Sequence, residues 1–130
     1  MDLRFLLDTH IVVRWISQPR SLSLEQRRIV RRAEQLGKTI GVSAITLFEI
    51  AVGFRNQSFT AKGLLDAIDT TPLFQILPFT TAIATDMATL REVLRDPADC
   101  AIVATARVHG LKLLTADQRI IASRLVPVIE

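Results

Sequence analysis

The stretch RDPADCAIVATARVHGLKLLTAD, residues 95–117, holds one complete helix-to-strand unit with its own start and stop signals. Asp96 stands at a cap position and Pro97 at the first helical position, where a missing N–H costs nothing and a fixed φ suits the turn. Ile102, Val103 and Ala106 recur at helical spacing as a buried face, and Gly110 ends the helix because glycine takes the left-handed conformation at little cost. LKLLT then reads as a short strand, and an acid, Asp117, follows it.

Working outward, the same pattern opens the chain: LRFLL, residues 3–7, reads as a buried strand ending in Asp8, and a short helix is predicted from His10 to Ser17. SLSLEQRRIVRRAEQLG starts a helix with Ser21 or Ser23 as cap and stops at Gly37, with Leu22, Ile29, Val30, Ala33 and Leu36 on one stripe. TIGV, residues 39–42, is a second strand, and Ser43 is expected to cap a helix from Ala44 to about Arg55. Thr60 to Asp69 forms a further helix stopped before Pro72, LFQIL (residues 73–77) a third strand, and Thr80 or Thr81 opens a helix to about Leu94. A short helix from Asp117 to Arg124 and VPVI, an edge strand because Pro127 cannot donate in a sheet interior, complete the chain. Strands separated by helices throughout imply βαβ units, hence an α/β fold with a small, mostly parallel β-sheet flanked by helices on both faces. In such sheets ligands bind beyond the carboxyl ends of the strands, where Asp8 and Asp117 fall.

A chain of 130 residues matches one domain spanning residues 1–130, with about two-thirds of the unfolded surface buried. No apolar run approaches the roughly eighteen residues needed to cross a bilayer. MDLRFLLD is also broken by charge too early for a signal-peptide core, so a cytoplasmic location without membrane attachment is expected. The single cysteine, Cys100, excludes an internal disulfide and any CxxC metal site. Net charge is only +3, but seven of the basic residues fall between Arg14 and Lys38, including Arg27, Arg28, Arg31 and Arg32 in RRIVRR. That segment forms either a positive face for a phosphate backbone or an ordinary solvated helix face.

Four carboxylates lie in otherwise apolar surroundings: Asp8, Glu49, Asp99 and Asp117. Buried without partners each would cost several kcal/mol, roughly, and the simplest shared partner is a metal ion. Glu49 is the sole charge between Thr39 and Phe54, on a stripe with Ile45, Phe48 and Val52 that is expected to face the core. Asp99 sits at the third helical position, in line with the buried face; Asp96 is assigned mainly to the cap and Asp99 to the site. Asp8 and Asp117 each also fit a helix cap. Thr9 and Thr115 are placed to hold a water or a phosphate oxygen, or to bond the local backbone. Oxygen-only ligands favour Mg²⁺ or Mn²⁺ over zinc, because neither histidine has ligand spacing. Acids able to hold such an ion beside a basic exterior suit phosphodiester chemistry.

LLDTH, SAITLFEI, RDPADCAIVATA and LLTAD, in this order and across the whole chain, resemble the PIN-domain ribonucleases, specifically the VapC-like toxins of type II toxin–antitoxin pairs. The resemblance implies a three-layer α/β/α fold, a Mg²⁺ or Mn²⁺ centre, hydrolysis of RNA, a homodimer and inhibition by a cognate antitoxin. By motif position Asp8, Glu49, Asp99 and Asp117 correspond to the family's acidic cluster and Asp96 to the acid of its DP dipeptide. Cys100 departs from the pattern, standing where many relatives carry arginine.

Two readings of another class compete: a receiver-like phosphoacceptor and a noncatalytic RNA-binding module. A receiver needs a lysine at the end of a late strand, whereas Lys112 lies near the start of LKLLT. A binding module has no use for Glu49 in an apolar helix. His10, His109 and Cys100 are read as structural: His10 at a helix start, His109 beside the helix-ending Gly110, and Cys100 without a base to activate it. Trp15 with Ile11, Val12 and Ile16 is either core or a patch for a partner.

Overall fold

The computed structural model describes residues 3–53 and 59–130. The elements run β1 (Phe5–Leu7), α1 (Thr9–Ser17), a 3₁₀ turn (Pro19–Ser21), α2 (Leu24–Gln35), β2 (Ile40–Ser43), α3 (Ala44–Gly53), α4 (Ala61–Thr70), β3 (Phe74–Leu77), α5 (Thr81–Leu90), α6 (Pro97–His109), β4 (Lys112–Leu114), α7 (Gln118–Ser123) and β5 (Val128–Ile129). The five strands are all parallel, in the order β3-β2-β1-β4-β5. Each predicted strand and helix is present, with ends moved by a few residues; the expected end of α3 near Arg55 lies outside the described residues.

Both faces of the sheet are covered, so the inner positions Leu6, Leu7, Ile40, Val42, Leu113 and Leu114 are apolar and fully buried. Leu6 and Leu113 pair across β1 and β4 and turn into one cluster with Ile83, Ile102, Val103 and Ile120, while Leu7 and Leu114 turn into the other with Ile11, Val30, Ile50 and Leu64. Gly41 makes this close packing possible on β2. A Cβ there would stand 3.1 Å from a methyl of Leu77 and 3.2 Å from one of Leu6. The Trp15 group divides: Ile11 and Val12 are fully buried, while Trp15 and Ile16 pack half-buried against the second cluster.

Local chemistry sets the helix ends. Ser23, not Ser21, caps α2 through a reciprocal box with Gln26. Buried Gln26 also donates from Nε2 to the carbonyls of Thr115 (3.2 Å) and Ile129 (2.9 Å), which pins the start of α2 to the carboxyl end of β4 and β5. Ser43 remains in the strand, paired with Leu77, yet its Oγ accepts the Ile45 N–H at 3.1 Å, so β2 passes into α3 without a loop. Leu36, expected on the buried stripe of α2, is instead the C-cap residue and 54% exposed. Helix α5 stops at Leu90, four residues before the expected end, where the Val93 and Leu94 N–H groups both close on the Leu90 carbonyl. Leu94 is thereby buried and its carbonyl receives the Cys100 thiol at 2.7 Å. Gly110 caps α6 at φ 65°, as its position predicts. Among the described residues, no helix is long and apolar enough to cross a membrane.

Candidate active site

The connection from β1 leads to β2 on one side, and that from β3 crosses over to β4 on the other. The strand order therefore reverses between β1 and β4, which is where a parallel sheet opens a crevice beyond its carboxyl edge. Asp8 follows β1, Asp117 follows β4, Glu49 comes from the helix after β2, and Asp99 from the first turn of the helix before β4. All four acids thus belong to the same end of the sheet.

Asp8 extends the ladder by one residue, its N–H donating to Leu114 at 3.0 Å, and this carries a carboxylate only 4% exposed to the rim. Oδ1 accepts the Thr9 N–H at 2.8 Å and Oδ2 accepts the Thr115 hydroxyl at 2.7 Å. Burial raises its pKa above the usual carboxylate range, with the negative charge of Asp117 adding to the rise; the Thr115 and Thr9 hydrogen bonds and the charge of His10 oppose it. One Asp8 oxygen caps α1 and the other takes the Thr115 hydroxyl, so capping alone does not account for the whole carboxylate.

Thr115 joins the first acid to the fourth: its hydroxyl donates to Asp8 and accepts the Asp117 N–H at 3.0 Å. Thr9 joins the first to the second. Its hydroxyl donates to Glu49 Oε1 at 2.6 Å and lies 2.8 Å from the Thr46 hydroxyl, one turn earlier on α3. Both threonines are therefore bonded to acid side chains, an outcome beyond the backbone contacts usual for threonine at a strand end.

The environment of Glu49 differs from expectation. Phe48 and Val52 are 62% and 67% exposed, and α3 buries Thr46 and Ile50 instead. Glu49 lies at the edge of the covered face, half-buried, where Thr9 draws its carboxylate toward Asp8. Spacing alone identified the stripe but could not tell which side of α3 meets the sheet.

Asp96 caps α6 through the Asp99 N–H (3.0 Å), leaving the Asp99 carboxylate, 15% exposed, to face the crevice. Burial, then repulsion from Asp96, Asp117 and Asp8, pushes the Asp99 carboxyl up to about 7, which Arg119 only partly offsets. Asp117 caps α7 by accepting the Arg119 N–H at 2.9 Å. Its burial would raise its pKa, but the hydrogen bonds and charge of Arg119 outweigh that and hold it below the usual range. A cleft of about 260 Å³ beside these groups is lined by Val93, Leu94, Arg95, Asp96, Asp99 and Arg119.

Arg119 and Thr46 were not singled out by the sequence. Arg119 had a signal: a cation in the first turn of a helix opposes the helix dipole and needs another reason to be there.

Among the described residues no three acidic, histidine or cysteine side chains already converge on one point at metal-holding distance. The oxygens are instead committed to Thr9, Thr115 and Arg119. The donor set still fits a hard divalent cation: it is all oxygen, and Asp8 and Asp99 are raised first by burial and then by the charge of neighbouring carboxylates, both of which a bound cation would relieve. Cys100 adds no nucleophile, since it is buried and burial pushes its thiol up.

A parallel three-layer α/β sheet with acids from four elements at its switch point defines a class of carboxylate-lined sites. The chain belongs to the PIN-domain family, whose family model matches residues 5–124. It is 30% identical over 124 residues to Ribonuclease VapC22 of Mycobacterium tuberculosis, covering 92% of this chain and 91% of that protein. Its structure resembles FitAcB from Neisseria gonorrhoeae (TM-score 0.64, 26% identity, 97% and 96% of the two chains covered). It also resembles VapBC-5, a toxin–antitoxin system of Mycobacterium tuberculosis, in fold (TM-score 0.63, 21% identity, 98% of each chain covered).

Proposed function

We propose that the whole chain is one PIN domain acting as a Mg²⁺- or Mn²⁺-dependent endoribonuclease, the toxin of a toxin–antitoxin pair, with Asp8, Glu49, Asp99 and Asp117 as metal ligands. The observation that carries this reading is the bonded series Glu49–Thr9, Asp8–Thr115–Asp117 and Asp117–Arg119–Asp99, which ties acids from four elements together at one end of the sheet. The ribonuclease relative supports RNA as substrate and the toxin–antitoxin neighbour supports a cognate antitoxin as partner; a homodimer is proposed on the family resemblance alone.

Asp8, Glu49, Asp99 and Asp117 would hold the divalent cation, which would supply a water of lowered pKa and charge compensation for the departing oxygen of a phosphodiester. The protein's part is positional. Thr115 fixes the Asp8 carboxylate, Thr9 fixes Glu49, and the exposed Arg28 and Arg31 of α2 offer cations to the RNA backbone. Because Gln26 anchors the start of α2 at the Thr115 carbonyl, that basic helix begins beside the acids. Asp96 serves the site indirectly as the cap that orients the turn carrying Asp99. A receiver-like reading has less support: Lys112 lies at the amino end of β4, away from the acids.

The direct test is cleavage of single-stranded RNA with Mg²⁺ or Mn²⁺ added, then with excess chelator. Cleavage is expected to fall to background with chelator and return with fresh metal; RNA retained but never cut would favour the binding module. Thr9→Val gives a finer test. It leaves Glu49 without its anchor, and metal affinity or cleavage is expected to drop roughly tenfold to a hundredfold. The loss of the neutral hydroxyl should change stability by no more than about 1–2 kcal/mol in thermal unfolding.

A further inference from the structure

Arg119 is bonded to two acids that come from different elements. Its terminal nitrogen stands 3.2 Å from Asp117 Oδ2 and 3.6 Å from Asp99 Oδ2, and its Nε is 3.4 Å from Asp117 Oδ1. The carboxylates are 15% and 19% exposed while the guanidinium side chain is 73% exposed, so the cation reaches the acids from the solvent side. The other ion pairs among the described residues, Lys62 with Asp66 and Arg107 with Asp86, each join one cation to one acid. Helix α7 gives Arg119 no reason of its own, because a positive charge in a first turn opposes the dipole.

Building on the metal-binding reading above, we propose that Arg119 is the resident counter-cation of the acid cluster, and that a divalent cation must displace its guanidinium to take Asp99 and Asp117. A planar guanidinium matches carboxylate oxygens well, but it brings one charge to two acids and is held by an exposed, flexible stem. A divalent ion brings two charges at shorter distance and needs the same oxygens. The two cations are therefore competitors. Arg119 keeps Asp99 and Asp117 near each other without metal, and every Mg²⁺ or Mn²⁺ bound is weakened by the energy of breaking these contacts.

The experiment is Mn²⁺ titration by calorimetry, without RNA, of the full chain and its Arg119→Gln variant at about pH 8, where the proton competes least with the metal. Arg119→Gln is expected to bind Mn²⁺ about fivefold more tightly, the equivalent of about 1 kcal/mol in an ion pair. In an Asp117→Asn background the same change should bring a smaller gain, since only the 3.6 Å contact with Asp99 is still contested. Equal or weaker Mn²⁺ binding by Arg119→Gln, with the parent chain binding normally, would overturn the competition. Absence of Mn²⁺ binding in both would overturn the metal reading and this inference with it. Arg119 is 73% exposed, and the variant is expected to unfold thermally as the parent chain does.

Discussion

Asp8→Asn and Asp99→Asn are each expected to lower metal-supported RNA cleavage by at least about a hundredfold, since loss of a direct ligand should exceed the cost of losing an outer-shell contact. Neither change should destabilise the metal-free protein by more than about 1 kcal/mol. Asp8 is 4% exposed and its charge is opposed by burial, so an amide of the same shape removes a desolvation cost. Against this, the Asn amide keeps one acceptor for the Thr9 N–H and forces the Thr115 hydroxyl to turn from donor to acceptor. The Asp99 carboxylate has a 3.6 Å ion pair with Arg119 in place of such hydrogen bonds, and its replacement relieves repulsion from Asp96, Asp117 and Asp8. On the proposed reading both residues serve the same metal centre, so the double variant should be little worse than either single one. Cleavage assays at saturating Mn²⁺ with parallel melting curves separate the two effects. Retained cleavage in both variants would remove these acids from the catalytic set, and a collapse in melting temperature would assign them to the fold instead.

The sheet was legible because the chain punctuates itself. Asp96-Pro97 and Gly110 bound α6 where the sequence places them, and the short runs LRFLL and LKLLT could hardly be anything but strands buried on both sides. The place of the acids followed from the same logic, since a residue just past a parallel strand sits at its rim. What the sequence withheld depends on which faces meet. Phe48 and Val52 look like core and are exposed because α3 presents Thr46 and Ile50 to the sheet. The hydroxyl of Thr9 reaching Glu49, 40 residues away, and the Gln26 side chain reaching Ile129, 103 residues away, are contacts that no local spacing encodes. The Arg119 bridge was hidden for the opposite reason. Its link to Asp117 is local, but its meaning depends on Asp99, which only the crossing of α6 over the sheet brings near.

Stability of the metal-free protein is expected to fall as pH rises from about 4 to about 7. The sign follows from proton counts. Asp99 has an ordinary carboxylate value when unfolded and about 7 when folded, so between those values the folded state binds more protons than the unfolded one. Stability from this group is complete below the unfolded value and is lost as pH passes through the folded one. Asp8, also raised by burial, acts in the same direction, whereas Asp117, held low by Arg119, has its effect in the acid range below this window. A rise of roughly three units at about 1.4 kcal/mol each sets a ceiling near 4 kcal/mol, and partial solvent screening reduces it to about 2. For a chain of 130 residues that corresponds to about 5–8 °C in melting temperature. Two controls isolate the cause. Asp99→Asn should flatten most of the slope, because the titrating group is gone. Saturating Mn²⁺ should flatten it as well and lift the whole curve above pH 7, because a cation on the acids replaces the proton and stabilises only the folded state. A slope unchanged by Asp99→Asn would show that its carboxyl is not the group in strain, and that the acids at the switch point are already compensated without metal.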